Sequence, residues 1–254
     1  MSVFRTLNRF VFLPTAGITV GFVSFVKAWP DESKSLTLED SSQESCTRQG
    51  AYEPLPLTFQ RQDILEKISK LHIYKELMEN NNVTHAVQSE NIPTGHRPYH
   101  VGQGQLFGPT KLEIDPLIFK DEVTKSLVVF YHLGSGLSNE NKKIHKGILS
   151  LLLDEGLCYC GFPSLPSKRG VTAQLMVDFK KEIPSDTTVI LRAKVSELKG
   201  RKCVIKGTLE AIPKKNIFQY VCGIEPNHGE TYVSAKCILV EPKWFKYLSW
   251  LNIF

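Results

Sequence analysis

The chain has 254 residues, is 42% hydrophobic and carries a net charge of +5, which fits one domain of roughly 150 residues with extensions, or two small domains. The charge is modest and no run of Lys and Arg is interleaved with aromatics, which argues against a nucleic-acid-binding protein. The six cysteines (46, 158, 160, 203, 222 and 237) form no C-x-x-C and meet no His pair at ligand spacing, so we expect reduced, buried thiols, no metal set and no disulfide-stapled secreted fold.

Residues 1–30 carry Arg5, Arg9 and Lys27 and no acid before Asp31. An acid-free, Arg-bearing start is the pattern of a mitochondrial presequence. Between Arg9 and Lys27 lies "FVFLPTAGITVGFVSFV", at the lower limit of about 17 apolar residues for a membrane span, and Pro14 and Gly17 weaken it. A secretory signal peptide competes, but the stretch ends in "KAWP" and lacks a small-x-small cleavage site. We expect mitochondrial import, with residues 1–30 as targeting segment and possible transmembrane anchor. Residues 31–58, rich in acids and serines with Pro54 and Pro56, have the composition of a flexible linker.

Within 59–96, "RQDILEKISKLHIYKELMENN" places Ile64, Ile68 and Leu71 on one side with Leu65 and Tyr74 near it, predicting one amphipathic helix that ends near Asn80–Asn82. His72 on it reads as a surface histidine. Residues 97–241 turn to short β-like runs: "GQLFGPTKLEI", "KSLVVFYHL", "GVTAQLMVDFKK", "TVILRAKVSEL", "KCVIKGTLEAI" and "ETYVSAKCILVEP". Val189, Leu191, Ala193 and Val195 alternate with Thr188, Ile190, Arg192 and Lys194, as a strand with one buried face does. The glycines of "YHVGQGQLFGP" lack the GK[ST] of a phosphate loop and read as strand-entry turns. "PKKNIFQYVCGIEPNHG" is an excursion between strands. The tail, 242–254, spaces Trp244, Tyr247, Leu248, Leu251 and Phe254 as a helix would, suited either to a membrane surface or to packing on the sheet.

Between these runs sits "KKIHKGILSLLLDEGLCYC". Ile148, Leu149, Leu151, Leu152, Leu153, Leu157 and Tyr159 leave it no wet side, so we expect a helix buried inside an antiparallel sheet, an α+β fold. At 100° per residue, Gly147, Ser150, Leu151, Asp154 and Cys158 share one small, polar stripe. A buried carboxylate needs donors or a raised pKa, so Asp154 is either a site residue or a structural acid held by backbone or by a neighbouring chain. Glu155, about 100° away, is expected at the helix edge.

The run from His145 to Asp154, H-x-G-x6-D, followed by Thr172 in "GVTAQLMVDF" and by "KEIP", resembles the hotdog-fold acyl-CoA thioesterases of the hydroxybenzoyl-CoA type and is most similar to their mitochondrial members. The likeness spans roughly residues 97–241. It implies a hotdog fold, an acyl-CoA substrate, no cofactor, and a homodimer or higher oligomer. Residue by residue, it implies that the Gly147 amide holds the thioester oxygen, Asp154 is base or nucleophile, Thr172 supplies the hydroxyl, and His145 and Asn139 stand at the helix start. Lys146 departs from the family's His-Gly-Gly. It either crowds the thioester or binds a CoA phosphate, as Lys168, Arg169 and Arg201 in flanking turns could, unless these are solvated turn charges.

A helix start suits a forming oxyanion, and a desolvated carboxylate can take a proton from water. His145 and Asp154 are about 13.5 Å apart along the helix, so one chain cannot bring both to one thioester; the site is expected to need two subunits. Three functions remain open: a membrane-anchored mitochondrial thioesterase, a non-catalytic hotdog subunit binding acyl chains or partners, and a hotdog hydratase using Glu140 with His145.

Overall fold

A computed structural model describes residues 60–213 and 227–245. Seven strands form one antiparallel sheet: β1 (Val83–Val87), β2 (Leu117–Asp121), β3 (Ser126–Leu133), β4 (Val171–Phe179), β5 (Thr187–Lys199), β6 (Lys202–Ala211) and β7 (Thr231–Val240), in the order β1-β2-β3-β5-β6-β7-β4. These are β-branched and apolar runs, with β3 buried on both faces and β7 on one. In β7, Val233, Ala235, Cys237 and Leu239 are buried and the residues between them are half-buried, as a pleat with one face on a core dictates.

That core is the helix α3 (Lys146–Gly161). Leu149, Leu152, Leu153, Gly156, Leu157 and Cys160 turn inward and pack with Val189, Leu191, Ala193, Ile205, Val233, Cys237 and Leu239. The expected inward set of β5 is the observed one. The helix lies close to the sheet because two glycines leave room. A Cβ on Gly156 would stand 2.0 Å from Leu191 Cδ2, and one on Gly207 would stand 2.6 Å from Leu157 Cδ2. An antiparallel sheet wrapped on one helix is the hotdog architecture.

The outer face of the sheet carries a second core. α1 (Gln62–Ser69) and α2 (His72–Glu79) set Ile64, Ile68 and Ile73 against Phe119, Phe130 and Ile190, and the Tyr74 ring meets Phe119 edge-on at 5.5 Å. The apolar spacing predicts one continuous helix here. The chain instead breaks at Lys70 and Leu71, where Leu71 is extended (ψ 137°) and caps α2. In an unbroken helix Ile73 would lie about 140° round from Ile68; the break lets both reach one apolar patch.

Two further expectations are corrected. "GQLFGPTKLEI" forms no strand: Val101–Gln105 is a π-helical turn, and Phe107 and Leu112 make only isolated bridges. Gly102, Gln103 and Gly104 are buried there, so this stretch is a plug under the sheet and does not run along it. Conversely "VTHAV", expected at the end of the helical extension, is β1 and pairs with β2; its Thr and Val content favours that.

No described helix is long and apolar enough to cross a membrane. The expected anchor in 1–30, the linker 31–58, most of the 213–229 excursion and the tail beyond Phe245 lie outside the described residues.

Candidate active site

The polar stripe of α3 lies along the β7–β4 edge of the sheet and is only partly covered by it. Ser150, Leu151, Asp154 and Cys158 are half-buried and Gly147 is exposed. The helix is therefore not covered on every side within one chain: a single curved sheet shields one side of a rod and leaves the other to different partners. Asp154 meets the start of the edge strand β4, where Val171, Thr172, Ala173 and Gln174 are all exposed. A bulge between Thr172 and Gln174 interrupts the pairing of β4 with β7 at this point, and bulges re-aim side chains. The Thr172 hydroxyl donates to Asp154 Oδ1 at 3.0 Å. Cys158 Sγ lies 3.2 Å from that hydroxyl and 3.9 Å from the same carboxylate oxygen. The donor needed by the half-buried acid is thus the hydroxyl expected beside it.

The helix start is closed differently from expectation. His145 is the N-cap, and its Nδ1 accepts the Gly147 N–H at 3.1 Å; the amide expected to hold the thioester oxygen is already bonded within the chain. Lys146 folds back, its Nζ 5.4 Å from the centre of the Phe179 ring, a cation–π distance. Asn139 is spent on its own loop, where its Oδ1 accepts the N–H groups of Asn141 and Lys143 at 3.0 and 3.1 Å.

Residues 141–215 match the family model described as "Thioesterase superfamily". The chain is 49% identical to "MIOREX complex component 3" of Saccharomyces cerevisiae, over 99% of this chain and 97% of that protein. It is 41% identical to "Uncharacterized protein, mitochondrial" of Candida albicans, over 98% and 100% of the two. The chain belongs to the thioesterase superfamily. A more distant relative is "Acyl-coenzyme A thioesterase THEM4" of Bos taurus, 24% identical over 49% of this chain and 52% of that one.

In this thioesterase-superfamily chain, Asp154 and Thr172 come together, whereas His145, Gly147 and Asn139 gather at the other end of α3. The basic turn residues converge on the rim beyond Thr172. Lys168 and Arg169 are exposed just before β4, and Glu241 links that turn to the β5–β6 turn: it accepts the Ser167 N–H at 3.0 Å, and its backbone carbonyl accepts Arg201 Nη1 at 2.9 Å. A hollow of about 700 Å3 lies on the outer sheet face, with Lys194, Lys206 and Lys236 directly opposite one another across β5, β6 and β7; it is not part of the Asp154 region.

Glu155 is not at the open edge. Gln88 Nε2 donates to its Oε2 at 3.2 Å, and His100 Nε2 stands 3.7 Å from its Oε1. Burial pushes its carboxyl above the ordinary range, against the opposing pull of His100 and Gln88. Asp115 is raised by burial too, although the Ser89 N–H (3.2 Å) and Gln103 Nε2 (2.8 Å) both donate to it. The plug Val101–Gln105 and the turn Gln88–Asn91 therefore cover the Glu155 side of α3. Helical spacing could not reveal this, because the cover comes from a distant segment with no regular pattern.

Among the described residues, two groups of side chains converge closely enough to share a cation: Asp154, Cys158 and Cys237, and Glu113, His132 and Asp186. The second already holds Arg61, whose Nη1 lies 2.9 Å from Glu113 and 2.8 Å from Asp186. His132 Nδ1 pairs with the Thr188 hydroxyl at 2.9 Å. Arg61 neutralises that cluster and ties α1 to the sheet.

Proposed function

We propose that the chain hydrolyses acyl-CoA to the free acid and CoA at a site completed by a second copy of itself. The Thr172–Asp154 hydrogen bond, on the side of α3 that a single chain leaves open, carries this reading. Thr172 orients a water and Asp154 takes its proton. The water oxygen bonds to the thioester carbon, the carbonyl oxygen becomes an oxyanion, and the C–S bond then breaks, with CoA thiolate leaving and taking up a proton. The oxyanion rests at the helix start of the partner subunit, where the helix dipole favours negative charge. Release of the Gly147 N–H requires the His145 ring to turn its Nδ1 away from that amide. Water is the only co-reactant, so the chemistry needs no cofactor.

The second copy pairs along β4. β4 is a nine-residue edge strand that exposes Val171 and Met176, and an uncovered edge of that length is a template for another chain. Lys168, Arg169 and Arg201 then face the CoA phosphates from the rim, as charge-assisted donors. The acid-free, Arg-bearing start and the mitochondrial description of the Candida albicans relative support action in mitochondria, with residues 1–30 as targeting segment and membrane anchor.

A second reading has its own observations. Lys146 replaces a glycine, the Gly147 amide is engaged by His145, and the yeast relative is described as a complex component. On that reading the chain is a non-catalytic hotdog subunit. The hydratase reading leaves Asp154 and Thr172 without a role. Thiol release from acyl-CoAs of varied chain length by the full chain decides between the first two. Turnover that Asp154→Asn reduces at least 100-fold supports the enzyme, within the 10²–10⁴ that a positioned base contributes. Turnover that appears only in Lys146→Gly supports the non-catalytic subunit.

A further inference from the structure

We infer that Asp154, Cys158 and Cys237 form a binding site for one thiophilic divalent cation, Zn2+ or its congener Cd2+. The inference does not depend on thioester hydrolysis. Helical spacing sets Asp154 beside Cys158 on α3, but Cys237 is on β7, and only the curl of the sheet over the helix brings it to them. One carboxylate oxygen and two sulfurs lie within 4.8 Å of one another. Around a tetrahedral Zn2+, with Zn–S about 2.3 Å and Zn–O about 2.0–2.2 Å, ligand atoms stand roughly 3.3–3.8 Å apart. The Cys158–Asp154 separation of 3.9 Å is already near that value, so closing the set takes side-chain adjustments of under about an ångström.

The donor chemistry fits a soft cation. Two thiolates and one carboxylate leave a fourth position open, the pattern of zinc sites with three protein ligands. The Thr172 hydroxyl, 3.2 Å from Cys158 Sγ and 3.0 Å from Asp154 Oδ1, borders that fourth position and can hydrogen-bond a metal-bound water. Cys237 is fully buried and Cys158 half-buried, so a cation enters from the open side of α3. Binding exchanges two thiol protons for the metal, with no change in oxidation state, and affinity falls as pH falls. An occupied site takes up the Asp154 carboxylate and removes it from any role as base.

The full chain, kept reduced with a thiol-free phosphine, is titrated with Cd2+ and followed by the thiolate-to-cadmium charge-transfer band in the near ultraviolet. The band is expected to saturate at one equivalent. Cys158→Ser and Cys237→Ser each lose it or weaken binding at least tenfold. Asp154→Asn keeps the band and weakens binding at least tenfold, whereas Cys160→Ser and Cys203→Ser titrate as wild type. A measurement on the unaltered chain guards against variants that fail to fold: Cd2+ should slow alkylation of Cys158, mapped by mass spectrometry. No saturable band, a band unchanged in Cys158→Ser and Cys237→Ser, or Cys158 alkylated at the same rate with and without Cd2+ would overturn the site. If the chain hydrolyses acyl-CoA, Zn2+ should inhibit wild type but not Cys158→Ser; if it does not, the optical titration stands alone.

Discussion

Gly156 sets how far α3 stands from the sheet, and hence where Asp154 meets Thr172. Replacing it with alanine opposes two terms of known sign. In an exposed helix interior Gly→Ala stabilises by about 0.8–1 kcal/mol. Here the added Cβ would sit 2.0 Å from Leu191 Cδ2, and Leu191 is fully buried, so its side chain has no solvent to turn into. Overpacking of that kind costs about 1–3 kcal/mol. The net expectation is a loss of about 1 kcal/mol, read as a lower guanidinium midpoint at unchanged slope. Leu191→Ala alone costs about 2–5 kcal/mol. In the Gly156→Ala background it should cost less, because it removes the atom that the new methyl strikes, so a double-mutant cycle should return a coupling of about 1 kcal/mol. A midpoint that rises with Gly156→Ala, or strictly additive effects, would refute the close contact.

Glu155→Gln should flatten the pH dependence of stability. Burial raises the folded-state carboxyl pKa above its ordinary 4.5, so between that value and the raised one the folded state binds more protons than the unfolded state, and stability falls as pH rises. Denaturant midpoints across that window should fall for wild type and fall less for the variant; parallel profiles would contradict the burial. Arg61→Ala should cost about 1–2 kcal/mol, since the guanidinium is a third exposed but leaves the buried Glu113 without its cation; amide exchange in α1 should quicken, and an unchanged exchange rate would speak against the tie. Thr172→Val keeps the shape and deletes the hydroxyl that donates to Asp154. Turnover should drop roughly tenfold or more with little change in KM, and an unchanged turnover would remove Thr172 from the site.

Much of the hotdog domain was legible because its signal is local. The alternation in β5 named the residues that reach α3, and the run of leucines in α3 named the rod that the sheet covers. The pairing of Asp154 with Thr172 came through likeness to a family, and a hydrogen bond joins the two side chains. What escaped depends on contacts between distant segments. The break at Lys70 and Leu71 follows from where Ile73 must pack, which helical periodicity in one segment does not encode. Glu155 looked like an edge residue because its cover, Gln88 to Gln105, has no periodic pattern. The His145 ring on the Gly147 amide is a capping choice that the motif H-x-G leaves open, and the Cys158–Cys237 approach needs the register of β7 against α3.

Mixed dimers test most directly whether one site draws on two subunits. Asp154→Asn removes the base, and Gly147→Pro removes the helix-start amide while leaving a residue tolerated in a first turn. Each variant alone should be inactive. Differently tagged and co-expressed, they should form dimers in which one site pairs the intact Gly147 of one subunit with the intact Asp154 of the other, restoring about half of wild-type turnover in the purified mixed dimer, one site of two. Mixed dimers as inactive as either parent would contradict it.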